Sequence, residues 1–256
     1  MKRSTRIARL LAALLLGLFA SASRSGMRAE PPSRYKMATP TESTGGSGKL
    51  YMGREISFVM GHQGAGWLER PEREREEQPK KLLKMLEIKP GMVVADIGAG
   101  SGYYSFRLAE RVGTKGKVLA VDIQKEMLDI IRKRMKKNKI ENIEPVLGTE
   151  TDPKLPAGGV DLILMVDVYH EFTFPYEMAE ELTKSLKPGG RMVFVEFRLE
   201  DEKVPILLAH KMTEKQVRAE MAPHPLKHIK TLESLPWQHV IIFEKKGEEK
   251  DDKSGK

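Results

Sequence analysis

Two stretches of the chain bring together residue types that can do chemistry. Asp96-Ile97-Gly98-Ala99-Gly100-Ser101-Gly102 follows an apolar run and precedes a helical pattern. Three glycines at alternate positions let the backbone turn sharply and approach a ligand without side-chain obstruction. A dinucleotide fingerprint would need its third glycine at position 103, where Tyr103 stands, so this loop is one residue shorter than that pattern. Asp122 closes the next apolar run, 20 residues after Gly102, and its two carboxylate oxygens could hold the hydroxyls of a ribose. The plain alternative is a strand-to-helix turn with Asp122 as a helix cap. The second stretch is Asp167-Val168-Tyr169-His170-Glu171. His170 is the candidate general base, because an imidazole titrates near neutrality. Its ordinary alternative is a histidine bonded to loop backbone. Asp167 and Glu196 end two apolar runs and could together offer oxygens to a divalent cation.

These residues need elements to position them, and the hydropathy pattern supplies candidates. Short buried-strand signals cover residues 92–97, 118–122, 144–147, 161–168 and 191–197. Helical periodicity covers residues 105–112, 125–138, 176–186 and 213–221, and Lys187-Pro188-Gly189-Gly190 reads as a turn. Strands that alternate with helices, in runs too continuous for one wet face, predict a parallel sheet covered on both sides. Residues 228–232 and 238–244 are joined by only 233–237 and predict an antiparallel hairpin at the sheet edge. The fold class is a doubly wound α/β domain. In such folds ligands bind beyond the carboxyl ends of the strands, where both chemical stretches fall.

Taken in order, these residues resemble the class I S-adenosylmethionine-dependent methyltransferases. Residues 93–102 look like the family's D-x-G-x-G-x-G motif, and Asp122 matches its acidic residue after the second strand. Residues 161–172 stand where its fourth motif lies. Leu186-Lys187-Pro188-Gly189-Gly190-Arg191 resembles its helix-to-fifth-strand signature. The resemblance covers about residues 80–244. It implies a mostly parallel seven-stranded sheet with a reversed C-terminal β-hairpin. It also implies S-adenosylmethionine as cofactor, approached by Gly98, Gly100 and Gly102, with Asp96 beside its amino-acid part and Asp122 on its ribose. Many members carry Gly-Asp after the third strand. Here Gly148-Thr149-Glu150 stands there, which makes Glu150, or Asp152, the candidate for the adenine. Catechol-type members hold magnesium near Asp167 and Glu196, but Phe197 replaces their following Asn, so no metal is expected. The catalytic candidates are His170 and Asp167.

The chain's charge and ends set the remaining expectations. The 256 residues carry a net charge of +8 and no cysteine, which excludes disulfide scaffolds, thiolate nucleophiles and cysteine-based zinc sites. Lys2, Arg3, Arg6 and Arg9 precede an apolar run over residues 10–20 and then Ala20-Ser21-Ala22. This pattern predicts a signal peptide over 1–22 and export, with a mitochondrial or other organellar transit peptide as the alternative. Its removal would halve the net charge. The run is too short for a stable membrane span. Residues 23–48 read as a disordered linker and 247–256 as a charged disordered tail. Between them, 49–79 reads as a helical lid segment and 80–246 as the methyltransferase domain. Within the lid segment, Met52, Ile56, Val59 and Met60 show helical spacing, residues 61–67 form a glycine-rich loop, and 70–78 read as a solvated charged helix face. The basic residues at 132–139 lack interleaved aromatic residues, so nucleic acid is not expected as a partner. The expected function is methyl transfer to a small organic acceptor by in-line displacement. The alternatives are a noncatalytic nucleoside-binding protein on the same fold, or an RNA methyltransferase.

Overall fold

A computed structural model describes residues 34–40 and 42–247. The expected leader (1–22), the first part of the expected linker and the end of the tail lie outside these residues.

The chain enters as a small antiparallel sheet of β1 (Tyr35–Met37), β2 (Gly46–Tyr51) and β3 (Arg54–Ser57), in that order. This corrects two expectations. Within the segment expected as linker, residues 35–37 and 46–48 are strand and Glu42–Thr44 is a 3-10 turn, and the glycines there serve close packing. A Cβ on Gly46 would run into the Glu55 carboxyl group, and one on Gly48 would stand 2.5 Å from the Ala38 carbonyl oxygen. The helix expected from Met52 to Met60 is instead a hairpin. Met52 (φ +46°) and Gly53 (φ +92°) both occupy the left-handed region, as a two-residue turn requires, and Ile56 and Ser57 are buried.

Three short helices follow: α1 (Ala65–Leu68), α2 (Arg73–Glu76) and α3 (Pro79–Met85). The charged run at 70–78 is not a solvated face throughout. Arg73 and Glu77 are buried and paired at 2.5 Å, and Arg70 reaches Glu77 at 2.7 Å. Buried charge is stable there because each ion is paired and hydrogen-bonded.

The main domain then alternates β4 (Val93–Ile97), α4 (Tyr103–Val112), β5 (Lys117–Asp122), α5 (Lys125–Asn138), β6 (Ile143–Leu147), β7 (Val160–Val166), α6 (Pro175–Ser185) and β8 (Leu186–Arg198). It ends with β9 (Lys211–Met212), α7 (Glu214–Met221), β10 (Leu226–Leu232) and β11 (Gln238–Lys245). The sheet order is β10-β11-β8-β7-β4-β5-β6, with β9 pairing beside β8. Strands β4 to β8 run parallel, and β11 is antiparallel to both β8 and β10, so the terminal hairpin is reversed as expected. The four residues expected as a turn, Lys187 to Gly190, form a bulge inside β8. Leu186 pairs with Val160, and the ladder resumes at Arg191 with Leu162.

Alternation along each strand separates two cores. Leu162, Leu164, Val193 and Val195 pack with Leu82, Leu108 and Leu128 of α3, α4 and α5. Ile163, Met165, Met192 and Phe194 pack with Met178, Leu182 and Val217 of α6 and α7. The fold is therefore a Rossmann-like α/β sandwich. Its strand order reverses direction between β4 and β7, which opens a crevice at their carboxyl ends. Among the described residues no helix is long and apolar enough to cross a membrane.

Candidate active site

The loop between β4 and α4 is built as a cradle. Gly98, Gly100 and Gly102 have φ of +66°, +54° and +83°, all in the region where a side chain is strained. A Cβ on Gly98 would also run into Val168, and one on Gly100 would stand 2.6 Å from Leu68 Cδ1. Asp122 at the end of β5 ties the cradle to α5. Its Oδ2 accepts from Gly100 N–H at 2.9 Å and its Oδ1 from Gln124 N–H at 2.8 Å. Burial pushes the Asp122 pKa up, against the pull of these backbone hydrogen bonds. Each oxygen keeps a further lone pair for a ligand hydroxyl. Arg134 of the basic helix holds the loop from outside, donating to Ser101 O at 2.8 Å and pairing with Glu69 at 2.5 Å.

Gly98 and Gly100 open onto a cavity of about 390 Å³, whose wall also includes Asp122, Glu150, Asp167 and His170. Six of the eight residues expected from sequence therefore share one cavity. The other two stand outside its wall. Gly102 packs α4 against α5, since a Cβ there would meet Phe106 and Ile131. Asp96 lies buried beneath the loop, where its Oδ2 accepts from Ser105 Oγ at 2.6 Å. Burial pushes the Asp96 pKa up to about 7, despite the Ser105 hydrogen bond and the Arg73 charge.

Asp96 thus holds a proton in the folded state where the unfolded chain has released it. The stability conferred by that proton is full below the ordinary carboxylate range and is lost as pH rises through about 7. Asp96→Asn keeps an oxygen for Ser105 and removes the titration. It should melt higher than the parent at about pH 8, with the gap closing towards about pH 4. Melting curves that stay parallel over this range would exclude Asp96 as the source. A second expectation concerns the cradle. Gly98→Ala should cost ~1–2 kcal/mol for the left-handed backbone alone, with the collision at Val168 adding to it. Denaturant unfolding reads this loss, and an unchanged midpoint would contradict it.

On the cavity wall, His170 is almost fully buried with its Nδ1 2.6 Å from Glu196 Oε2. Glu196 is itself fully buried, and its Oε1 accepts from Tyr169 N–H at 3.0 Å. Burial alone would lower the His170 pKa, but the charge and hydrogen bond of Glu196 outweigh it and hold the pKa above its usual value. The carboxylate also assigns the Nδ1–H tautomer and leaves Nε2 as an acceptor. His210 follows on a short 3-10 turn, with its Nδ1 3.2 Å from His170 Nε2. Burial, then the His170 charge, push the His210 pKa down to about 4. Asp167 has φ +52°, and its Oδ2 accepts from Gln238 Nε2 at 2.7 Å, while its buried Oδ1 has no hydrogen-bond partner. Asp167 and Glu196 are not arranged as a cation pair, because both Glu196 oxygens are turned to His170 and Tyr169.

The segment after the N-terminal sheet, residues 59–68, contributes Val59, Met60, Trp67 and Leu68 to the remaining wall, and the sheet braces His170 from behind. Ser57 Oγ and Arg54 Nη1 donate to His170 O, and Arg54 binds the buried Glu220 through two nitrogens at 2.7 and 3.1 Å. Gln124 clamps the following segment, donating to Met60 O at 2.9 Å and accepting from His62 N–H at 2.8 Å. Trp67 and Leu68 line the cavity, and the Arg70 guanidinium lies 3.5 Å over the Trp67 ring. Arg54, Gln124, His210 and the Glu196–His170 contact were not singled out from the sequence. None has a spacing signal, since Glu196 and His210 lie 26 and 40 positions from His170.

Residues 88–250 match the family model described as "Methyltransferase domain", which is more than half of the chain. A solved S-adenosylmethionine-dependent methyltransferase from Aquifex aeolicus superposes with a TM-score of 0.69 at 27% identity, covering 73% of this chain and 100% of that one. This chain belongs to the class I S-adenosylmethionine-dependent methyltransferase family. Its cofactor is S-adenosylmethionine, and the cradle fits that group: the glycines at 98 and 100 leave room for it, and Asp122 offers oxygens to its ribose. Among curated relatives, a demethylmenaquinone methyltransferase of Lactococcus lactis is 29% identical over 116 residues, covering 45% of this chain and 46% of that protein. A protein-L-isoaspartate O-methyltransferase of Methanopyrus kandleri is 34% identical over 113 residues, covering 44% and 47%. The chain spans about half the length of these curated relatives.

Proposed function

We propose that this methyltransferase transfers a methyl group to a small organic acceptor bound between the cradle and His170. One observation carries the reading: a single cavity is lined both by Gly98, Gly100 and Asp122 and by His170, Glu171 and His210. S-adenosylmethionine supplies a methyl group already activated as a sulfonium. The protein must align an acceptor with it, exclude water and take up the acceptor's proton.

Named residues suit each task. Gly98, Gly100, Asp122 and Glu150 would hold the cofactor. Glu150 is exposed at the cavity edge, where its Oε1 accepts from Thr173 Oγ1 at 3.0 Å. His170, oriented by Glu196, would accept the acceptor's proton at Nε2. Asp167 stands beside it with one free oxygen to position polar groups. The wall from Met60 to Leu68, clamped by Gln124, would keep water out.

The acceptor class follows from the rim. Val59, Trp67, Ile123 and Leu207 line the cavity and are 40%, 44%, 41% and 53% exposed. Such an apolar mouth favours an acceptor with an apolar body and one ionisable group. The Lactococcus relative, whose name gives demethylmenaquinone as its acceptor, supports a small-molecule reading.

Calorimetric titration with S-adenosylmethionine and with S-adenosylhomocysteine, followed by methyl transfer to a library of such acceptors, tests this function. Failure of both cofactors to bind the full chain would overturn it, and binding without transfer to any acceptor would favour the noncatalytic alternative. Export by the leader at 1–22 is a separate proposal, supported by its charge and apolar pattern. Sequencing the mature N-terminus after cell fractionation tests it, and cytoplasmic protein retaining Met1 would refute it.

A further inference from the structure

His170, Glu171 and His210 bring three potential metal ligands to one point of the cavity wall, with the ligand atoms all within 4.8 Å of one another. His170 Nε2 and His210 Nδ1 are 3.2 Å apart, and His210 Nδ1 is 4.0 Å from Glu171 Oε1. Two imidazole nitrogens on one tetrahedral ion, each at ~2.0–2.1 Å, stand roughly 3.3 Å apart. The two rings meet at 77°, edge to face, so their nitrogens converge without stacking.

Three further observations point to a cation. First, the ring nitrogen of His170 that faces away from the cavity is bonded to the buried Glu196 carboxylate. A carboxylate behind a histidine fixes the tautomer and raises the basicity of the other nitrogen, the usual support of a metal-bound imidazole. Second, Glu171 and Asp167 line the cavity with Glu196 buried behind His170, and their ion-pair partners among the described residues are the two histidines alone, with Arg73 and Arg54 acting only at longer range. Buried carboxylates are costly unless a positive group offsets them. Third, the N-terminal sheet holds His210 in place. A Cβ on Gly45 would stand 2.9 Å from His210 Cδ2 and Nε2, so backbone packs against the ring edge away from Nδ1.

We propose that His170 Nε2, His210 Nδ1 and a Glu171 carboxylate oxygen bind one divalent transition-metal ion, leaving its remaining positions open to the cavity. Two imidazoles and one carboxylate suit zinc or cobalt, whereas magnesium and calcium prefer all-oxygen sets. Metal and proton compete for the same Nε2 lone pair. In the loaded protein the ion would lower the pKa of an acceptor hydroxyl bound at an open position, whose proton would pass to water in place of the imidazole. This last point rests on the acceptor placement given under Proposed function; the ion site itself does not.

The test uses the full chain, stripped with chelator and desalted. Zinc chloride is titrated by calorimetry, and cobalt chloride is followed by visible absorption. One equivalent per chain is expected, with cobalt bands of a four- or five-coordinate site. Glu196→Gln should weaken zinc binding ~10–100-fold, and His210→Ala and Glu171→Gln should weaken it at least as much. S-adenosylhomocysteine binding, measured on the same samples, reports the cradle independently and shows that each variant is folded. Substoichiometric zinc in the parent, or undiminished affinity in the His210→Ala, Glu171→Gln double variant, would overturn the site. Loss of S-adenosylhomocysteine binding in the parent with zinc binding intact would instead overturn the proposed function and leave the ion site standing.

Discussion

Replacing His170 with alanine is expected to lower the methyl-transfer rate by ~10²–10⁴-fold, the range that a positioned general base contributes. S-adenosylhomocysteine affinity should change little, because the cradle of Gly98, Gly100 and Asp122 holds the cofactor without a contact from His170. The dependence on pH follows from the sign of the shift. Only neutral His170 can accept a proton, and Glu196 holds its pKa above the usual imidazole value. The rate should therefore fall as pH drops through that raised pKa and level off above it. Glu196→Gln removes the charge that opposes burial, so the same limb should move to lower pH while the plateau drops. A His170→Ala rate within about threefold of the parent would remove the imidazole from the mechanism, as would a limb that ignores Glu196.

Arg54→Met is the largest expected loss of stability, ~3–5 kcal/mol, the usual cost of leaving one partner of a buried ion pair alone. Glu220 is fully buried and would keep Tyr169 Oη at 2.7 Å and Gln216 Nε2 at 2.8 Å, but no cation. The His170 carbonyl would lose one of its donors as well. Urea unfolding of the single variant and of Arg54→Met with Glu220→Gln separates the two contributions. Neutralising Glu220 should recover much of the loss. A double variant no more stable than the single one would assign the effect to lost packing instead.

The main domain was legible because burial and periodicity coincide in it. Residues 125–138 were read as a helix and form α5 with the same bounds, since Met127, Leu128 and Ile131 are buried while the charged residues around them stay wet. The cavity was legible in outline because the glycine loop, Asp122 and the residues after β7 all fall at strand ends, and a parallel sheet gathers such ends at one edge. The N-terminal wall was not legible. Its glycines look like a flexible tract, yet they pack backbone against neighbouring groups, and composition cannot distinguish the two uses. The apolar residues of 52–60 fit a helix by spacing, but the left-handed pair at Met52 and Gly53 imposes a hairpin. The buried Arg73–Glu77 pair was hidden for a related reason: a charged run shows no sign in sequence of which member turns inward.

The pairing of Arg54 with Glu220 spans 166 positions. Strand β3, which braces His170, is thus synthesised 166 positions ahead of its anchor. Closing so long a loop is entropically late in any folding order. The parallel core can assemble from neighbouring segments as they emerge, with the cradle already shaped. The brace behind His170 must wait until α7 has been made, so the support of the base is set later than the cradle. Seating of the imidazole thus depends on a contact that local assembly of the sheet cannot supply.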